Sequence, residues 1–191
     1  MGSEKAALRA QARALGAPPV AAANACLARL LALEELARAG CLVLFAGEGA
    51  EPPVERIQPL LRSRGWTTAF PRVVADGLEL GLVECVDELV AGWRGLREPD
   101  PGAQTLSVSE VDVFVVPGVL FARNGARLGR GGGHYDRLLA RAAPGALRIG
   151  ICYADRVRDA LPVDPHDAFV DVIVTELEVL RTGARTPGGD A

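Results

Sequence analysis

The sequence predicts a single three-layer α/β/α domain with a mainly parallel central sheet. Three observations predict it. Strand-like and helix-like segments alternate along most of the chain, and its 191 residues suit one domain with a sizeable core. The strongest strand-like runs, CLVLFA (41–46) and VDVFVVPG (111–118), are β-branched and lack a polar face, as strands covered on both sides do. No internal repeat or long linker divides the chain, so residues 1–180 are taken as one domain.

Each element has a local reason. Leu8, Ala12 and Leu15 repeat at helical spacing in the first segment, with Lys5, Arg9 and Arg13 as a basic row on another face. GAPP (16–19) interrupts, and a second helix carrying Leu27, Leu30 and Leu31 is expected to reach Gly40 as its C-terminal cap. After the 41–46 strand come a helix near 53–63 and a strand at 66–70. RVVADGLELGLV places Asp-Gly between two strand-like runs, a hairpin signal. Residues 92–109, rich in Gly, Pro and Ser, read as a surface loop. A helix is expected near 132–142, strands at 147–153 and 171–176, and a short helix over DRVRDAL between those strands. The stretch 181–191 (RTGARTPGGDA) has too little apolar content to pack and is expected to be disordered.

Composition excludes several function classes. Hydrophobic residues make up 49% and charged residues 24%, with a net charge of −3, so nothing draws the whole chain toward nucleic acid or an anionic membrane. No apolar run approaches the roughly 20 residues that span a bilayer. Charges at the start stand where a secretory signal would be apolar, so a cytoplasmic protein is expected. The four cysteines include no C-x-x-C pair, and only His134 and His166 accompany them, which removes a metal finger. Cys41, Cys85 and Cys152 lie in apolar runs and read as small hydrophobes, so no catalytic cysteine is expected.

The chemistry concentrates in VVPGVLFARNGARLGRGGGHYDRLL. A buried strand ends at Pro117-Gly118, and the loop beyond carries Arg123, Arg127 and Arg130 among five glycines before a helix opens near His134. Glycines let backbone N–H groups approach an anion, helix N-termini are partially positive, and arginine offers phosphate paired hydrogen bonds. Together these describe a phosphate cradle past the carboxyl end of a strand. Neither G-x-x-x-x-G-K-[ST] nor G-x-G-x-x-G is present. Two other readings stay open on the residues alone: a tight strand-to-helix turn with solvated arginines, and an Arg-Gly segment for RNA, which a single copy in an acidic chain disfavours.

The run PGVLFARNGARLGRGGGHYDRLL closely resembles the pattern of the 5-formyltetrahydrofolate cyclo-ligase family, P-G-x-x-F followed by G-x-R-L-G-x-G-x-G-x-Y-D. KAALR, GWTTAFPRV, GLREP and PVDPHDAFVDVIVTE resemble further family blocks in the same order along most of the chain. The glycine block is specific, and the others are individually weak.

The resemblance implies an enzyme that closes 5-formyltetrahydrofolate into 5,10-methenyltetrahydrofolate with ATP and Mg²⁺. It implies ATP between Lys5 and Arg9 on one side and Arg127, Leu128, Gly129, Arg130, Gly131, Gly132, Gly133, His134 and Tyr135 on the other. Arg127, Arg130 and Tyr135 would serve catalysis. Asp136 would hold Mg²⁺ with Asp167 as a second metal ligand. Folate would meet Glu51, Ala46 and Trp93, while Phe121 packs under the loop. On the residues alone, Lys5 and Arg9 also read as a solvated basic face, Asp167 as a turn cap, and Trp93 as a partly buried aromatic.

The implied reaction needs no protein nucleophile, which suits a site poor in Ser, Cys and His but rich in Arg, Gly and Asp. Small-molecule partners alone, no nucleic acid or membrane, and a monomer are expected. The chain departs from the family pattern at Gly132, where many relatives have Lys, and at His134, where Tyr or Phe is common. The polar neighbours of Glu51 are replaced by Pro52-Pro53-Val54, and Arg156 stands where glutamine is frequent. These departures keep open a catalytically weakened nucleotide- or folate-binding paralogue.

Overall fold

The computed structural model describes residues 2–16, 18–38 and 40–183. Helices α1 (Gly2–Ala14) and α2 (Val20–Leu31) come first, followed by strand β1 (Cys41–Val43) and helix α3 (Gln58–Ser63). Then follow the hairpin β2 (Thr67–Val74) and β3 (Gly77–Leu82), a smaller hairpin β4 (Val90–Ala91) and β5 (Arg97–Glu98), and β6 (Thr105–Leu106). The second half holds β7 (Val113–Val116), β8 (Leu120–Ala122), β9 (Arg127–Leu128), α4 (His134–Leu139) and β10 (Leu147–Ile151). It closes with β11 (Val157–Arg158), β12 (Val172–Val174) and β13 (Val179–Arg181).

The main sheet runs β13-β12-β10-β7-β1-β2-β3-β6. Its centre, from β12 to β2, is parallel, and the edges are antiparallel. Alternation along each buried strand divides the core. Leu42, Val113, Val115, Ile149, Ile151 and Val174 face α2 and α3, meeting Cys26, Leu27, Leu30 and Leu61. Val43, Phe114, Val116 and Ile173 face α4, meeting Leu138 and Leu139. Burying a side chain such as Leu30 stabilises by roughly 1.5–3 kcal/mol, so both faces hold firmly. The three layers expected from the strand runs are present.

A small sheet, β11-β8-β9, stands beside the main one and carries the glycine loop. Helix α1 rests on it through Ala12, which joins Leu120, Ala122, Ala126, Leu128 and Leu161. Phe121 is fully buried beneath the loop, against Gly118 and Gly150, where an added Cβ would lie 2.6 Å and 2.4 Å from its ring.

Four local expectations are corrected. Helix α2 ends at Leu31, not Gly40, and a single 3-10 turn follows at Glu34–Ala37. Leu33 and Leu36 remain buried at a spacing of three, so their periodicity reads as continued helix. DRVRDAL forms one 3-10 turn and then β11, because Val157 and Arg158 pair with Phe121 and Ala122. Arg181 belongs to β13, and the Thr182 hydroxyl donates to the Val170 carbonyl at 2.7 Å, so packing continues past residue 180. Residues 184–191 of the expected disordered tail lie outside the described residues. Finally, Cys85 is exposed, since β3 ends before it, whereas Cys26, Cys41 and Cys152 are buried. Burial pushes the Cys41 thiol up to about 11 and the Cys26 thiol up to about 12, which keeps both protonated. Among the described residues no helix is long and apolar enough to cross a membrane.

Candidate active site

The glycine loop leaves β9 at Leu128 and enters α4 at His134. Gly133 makes the turn in the left-handed region, with φ 64°, where a side chain would be strained. Arg9 of α1 reaches the loop: its Nε donates to the Gly129 carbonyl at 2.8 Å, and its guanidinium lies against Gly131. Arg9 therefore joins α1 to the glycine loop.

Arg130 points across the cleft to the segment after β1. Its guanidinium pairs with Glu48, and its Nη2 lies 3.1 Å from Glu51 Oε1. The Glu51 carboxylate also accepts from the Glu48 N–H at 3.1 Å, and Glu55 accepts from the Gly47 N–H, so the 47–51 loop is fixed by its own acids. Burial raises the Glu51 pKa, and the Arg130 charge opposes that rise. Ala46, half-buried, precedes this loop.

Arg127 does not project into the cleft. Its side chain is 3% exposed, and its Nη2 donates to Asp136 Oδ1 at 2.6 Å. The same oxygen accepts from the Ala168 N–H at 3.1 Å, while Arg127 Nη1 reaches the Pro117 carbonyl at 3.4 Å. Arg127 thus lines the base of the loop from below, held by Asp136 and the Pro117 carbonyl. Inward burial wins because β9 is buried on both residues and Asp136 supplies the matching charge. The Tyr135 ring lies 5.9 Å from the Arg127 guanidinium carbon, and its buried hydroxyl has no hydrogen-bond partner among the described residues. Burial and the nearby Glu51 charge hold the phenol well above its ordinary pKa, against the opposing pull of Arg127, so it stays a neutral donor.

Lys5 is likewise held by carboxylates of the chain. It is buried, with Nζ 2.6 Å from Asp164 Oδ2 and 2.5 Å from Asp167 Oδ2. Asp167 Oδ2 also accepts from the Asp164 N–H at 2.8 Å. Lys5 and Arg9 share a helix face, yet one meets carboxylates and the other the glycine loop. The ligand atoms of Asp164, His166 and Asp167 lie within 4.8 Å of one another, so the Lys5 ammonium sits at a cluster of potential cation donors.

Trp93, 44% exposed at the turn between β4 and β5, presents its ring edge-on to His134 with centroids 6.1 Å apart. Arg94 stacks on it, 4.3 Å from the ring centroid, and takes a positive φ of 54° to do so. The two departures in the loop are one arrangement. A Cβ at Gly132 would stand 2.7 Å from His134 Cδ2, so glycine there leaves the space that the imidazole occupies.

Two residues of the site region have no place among the expected site residues. Glu48 stands three before Glu51, a spacing that could have marked a shared loop. Asp164 lies in the PVDPHD segment three before Asp167, a similar clue. Arg156, expected only as a departure from the family pattern, is buried beneath the end of α1, a contact that no local pattern signals.

A basic glycine loop, a carboxylate loop and an aromatic hairpin are thus grouped beside the parallel strands of an α/β protein. The chain belongs to the 5-formyltetrahydrofolate cyclo-ligase family, whose model matches residues 2–176. It is 44% identical over 90 residues to the 5-formyltetrahydrofolate cyclo-ligase of Mycolicibacterium smegmatis, covering 46% of this chain and 45% of that one. It is 35% identical over 108 residues to the mitochondrial 5-formyltetrahydrofolate cyclo-ligase of Arabidopsis thaliana, covering 47% and 39%. The chain thus spans about half, or less, of the length of these curated relatives. Over the full fold, the 5,10-methenyltetrahydrofolate synthetase of Aquifex aeolicus superposes with a TM-score of 0.75 at 30% identity, covering 88% of this chain and 84% of that one. The 5,10-methenyltetrahydrofolate synthetase of Mycoplasma pneumoniae gives 0.70 at 25% identity, covering 91% and 99%.

Proposed function

We propose that this protein converts 5-formyltetrahydrofolate and ATP to 5,10-methenyltetrahydrofolate, ADP and phosphate. The observation that carries the reading is the contact between Arg130 and Glu51. Arg130 belongs to the loop read as a phosphate cradle, and Glu51 to the segment read as the folate contact. Their meeting brings the two substrate sites within bonding reach of each other.

In the proposed reaction the formyl oxygen on N5 attacks the γ-phosphorus and ADP leaves. N10 then adds to the activated carbon and gives up its proton to the departing phosphate, whose loss with the former formyl oxygen leaves the methenyl bridge. Glu51 accepts hydrogen bonds from the ring N–H groups of folate and fixes its orientation. Arg9 and Arg130 bind phosphate oxygens, and the loop amides from Gly129 to Gly133 line the same side. Tyr135 supplies a neutral hydroxyl from the floor, while Arg127 holds Asp136 in place. Trp93 and His134 close the outer edge. Lys5 anchors α1 and so places Arg9.

The donor set suits Mg²⁺, a hard ion that takes oxygen ligands. Among the described residues the Asp136 side-chain contacts, from Arg127 and the Ala168 N–H, fall on Oδ1, so Asp136 would hold the ion through its other oxygen, with Asp167 beside Ala168 as the second ligand. When bound there, the ion would neutralise charge on the phosphate oxygens. The protein is proposed to work as a cytoplasmic monomer.

The test mixes purified protein with 5-formyltetrahydrofolate and Mg-ATP and follows near-ultraviolet methenyl absorbance together with ADP. Equal rises in both support the reading. A second reading, a paralogue that binds without turnover, is favoured by one observation: Lys5, Arg127 and Arg130 already pair with carboxylates of the chain. Nucleotide binding without any absorbance change would select it.

A further inference from the structure

We infer that Arg156 is a positioning residue for nucleotide binding, acting through α1 and Arg9; this rests on the proposed function. The reason lies in how little holds α1. Of its residues only Lys5 and Ala12 are fully buried, and half-buried Leu8 packs against the Ala12 cluster, so two small apolar contacts are all that apolar packing gives the helix. Polar contacts do the rest, and they sit at three heights. Lys5 binds Asp164 and Asp167 near the start, and Arg9 binds the Gly129 carbonyl in the middle. At the far end the Arg156 guanidinium reaches up from the turn after β10. Its Nη1 donates to the Ala12 carbonyl at 2.5 Å, and its Nη2 to those of Leu15 at 3.1 Å and Gly16 at 3.4 Å.

Ala12 lies in the last turn of α1, where its carbonyl is shared with the Leu15 N–H at 3.3 Å, and Leu15 and Gly16 follow directly; such carbonyls at a helix C-terminus carry partial negative charge. A buried guanidinium, whose own Nε lies 3.3 Å from Asp155, is a matched partner for three of them. Arg156 also begins the path to the loop from the other side. It directly precedes β11, β11 pairs with β8, and β8 pairs with β9, from which the glycine loop departs. One side chain therefore ties the helix carrying Arg9 to the sheet carrying Gly129 and Arg130. Without it, α1 can shift along its axis relative to the loop, and Arg9 loses its fixed distance to a phosphate. Glu51 and Trp93 stand on other elements and would not feel the change.

The experiment compares the full chain with Arg156→Met, which keeps the buried volume and removes the donors, and with Arg156→Lys. Hydrogen exchange without ligands is read along α1, and calorimetry measures Mg-ATP and 5-formyltetrahydrofolate separately. Arg156→Met should speed exchange of α1 amides about tenfold while leaving the main sheet unchanged. Mg-ATP binding should weaken about tenfold, the worth of roughly one charge-assisted hydrogen bond, with folate affinity within twofold. Arg156→Lys should fall between the two and covers the case in which the methionine variant does not fold. Added to Arg9→Ala, Arg156→Met should cost no further nucleotide affinity. Wild-type exchange in α1 for both variants, full additivity with Arg9→Ala, or equal loss of folate and nucleotide affinity would each overturn the inference. Failure of the unsubstituted protein to bind Mg-ATP would instead sink the proposed function, and the ligand-free exchange would still decide the tether.

Discussion

Arg130 and Glu51 meet across the cleft, with Nη2 3.1 Å from Oε1, and so join the glycine loop to the segment that follows β1. If Glu51 orients folate, Glu51→Gln should raise the KM for 5-formyltetrahydrofolate by about tenfold or more, since a charged hydrogen-bond acceptor is lost. Affinity for Mg-ATP, measured separately by calorimetry, should stay within twofold. A parallel fall in both affinities would assign Glu51 to the fold instead.

The same pair predicts a pH effect. Burial raises the Glu51 pKa and Arg130 restrains the rise, so Arg130→Met should let it climb further. Folate recognition by ionised Glu51 would then be lost at a higher pH, and the acid limb of kcat/KM for folate should move upward. Glu48→Gln should move that limb downward, because the neighbouring Glu48 charge also raises the Glu51 pKa. Limbs that stay in place in both variants would show that another group sets them.

Lys5→Met should remove about 2 kcal/mol of stability at neutral pH, by leaving Asp164 and Asp167 facing each other without a cation. That corresponds to a Tm lower by roughly 4–8 °C for a chain of this size. Burial alone would lower the Lys5 pKa, but its hydrogen bonds and charge attraction to Asp164 and Asp167 raise it overall. Its stabilisation is therefore complete below the unfolded lysine pKa of about 10.4 and is lost as pH rises through the higher folded value. Asp167 behaves oppositely. Burial would raise its pKa, but Lys5 and the Asp164 N–H lower it overall, so its contribution stands above about pH 3.9 and fades as pH falls through the depressed value. Denaturant melts at several pH values should show the two proteins converging at both extremes. A constant difference across pH would contradict the pairing.

Gly150→Ala tests the floor of the site without reference to ligands. The new methyl would lie 2.4 Å from the fully buried Phe121 ring, an overpacking that should cost about 1–3 kcal/mol in a denaturant melt. Phe121→Leu should relieve part of that cost in the double variant. Additive losses would place the strain elsewhere.

The layered fold, the buried strands, the Asp-Gly hairpin and the basic glycine loop are legible in the order of residues, and through the motifs so is the family. All of these are written in short-range patterns: residue-type runs, turn chemistry and spacing within one segment. Which cation meets which partner is settled in three dimensions. Arg127 and Arg130 are three residues apart and chemically identical, yet one is buried on Asp136 and the other reaches Glu51. Lys5 lies one helical turn from Arg9, but sheet order brings Asp164 and Asp167 to it from the far end of the chain. Arg156 meets the end of α1 for the same reason. A guanidinium or ammonium takes the partner that lies within a few ångströms in a dry environment, and that neighbour is set by the folded path of the backbone, which no local pattern encodes.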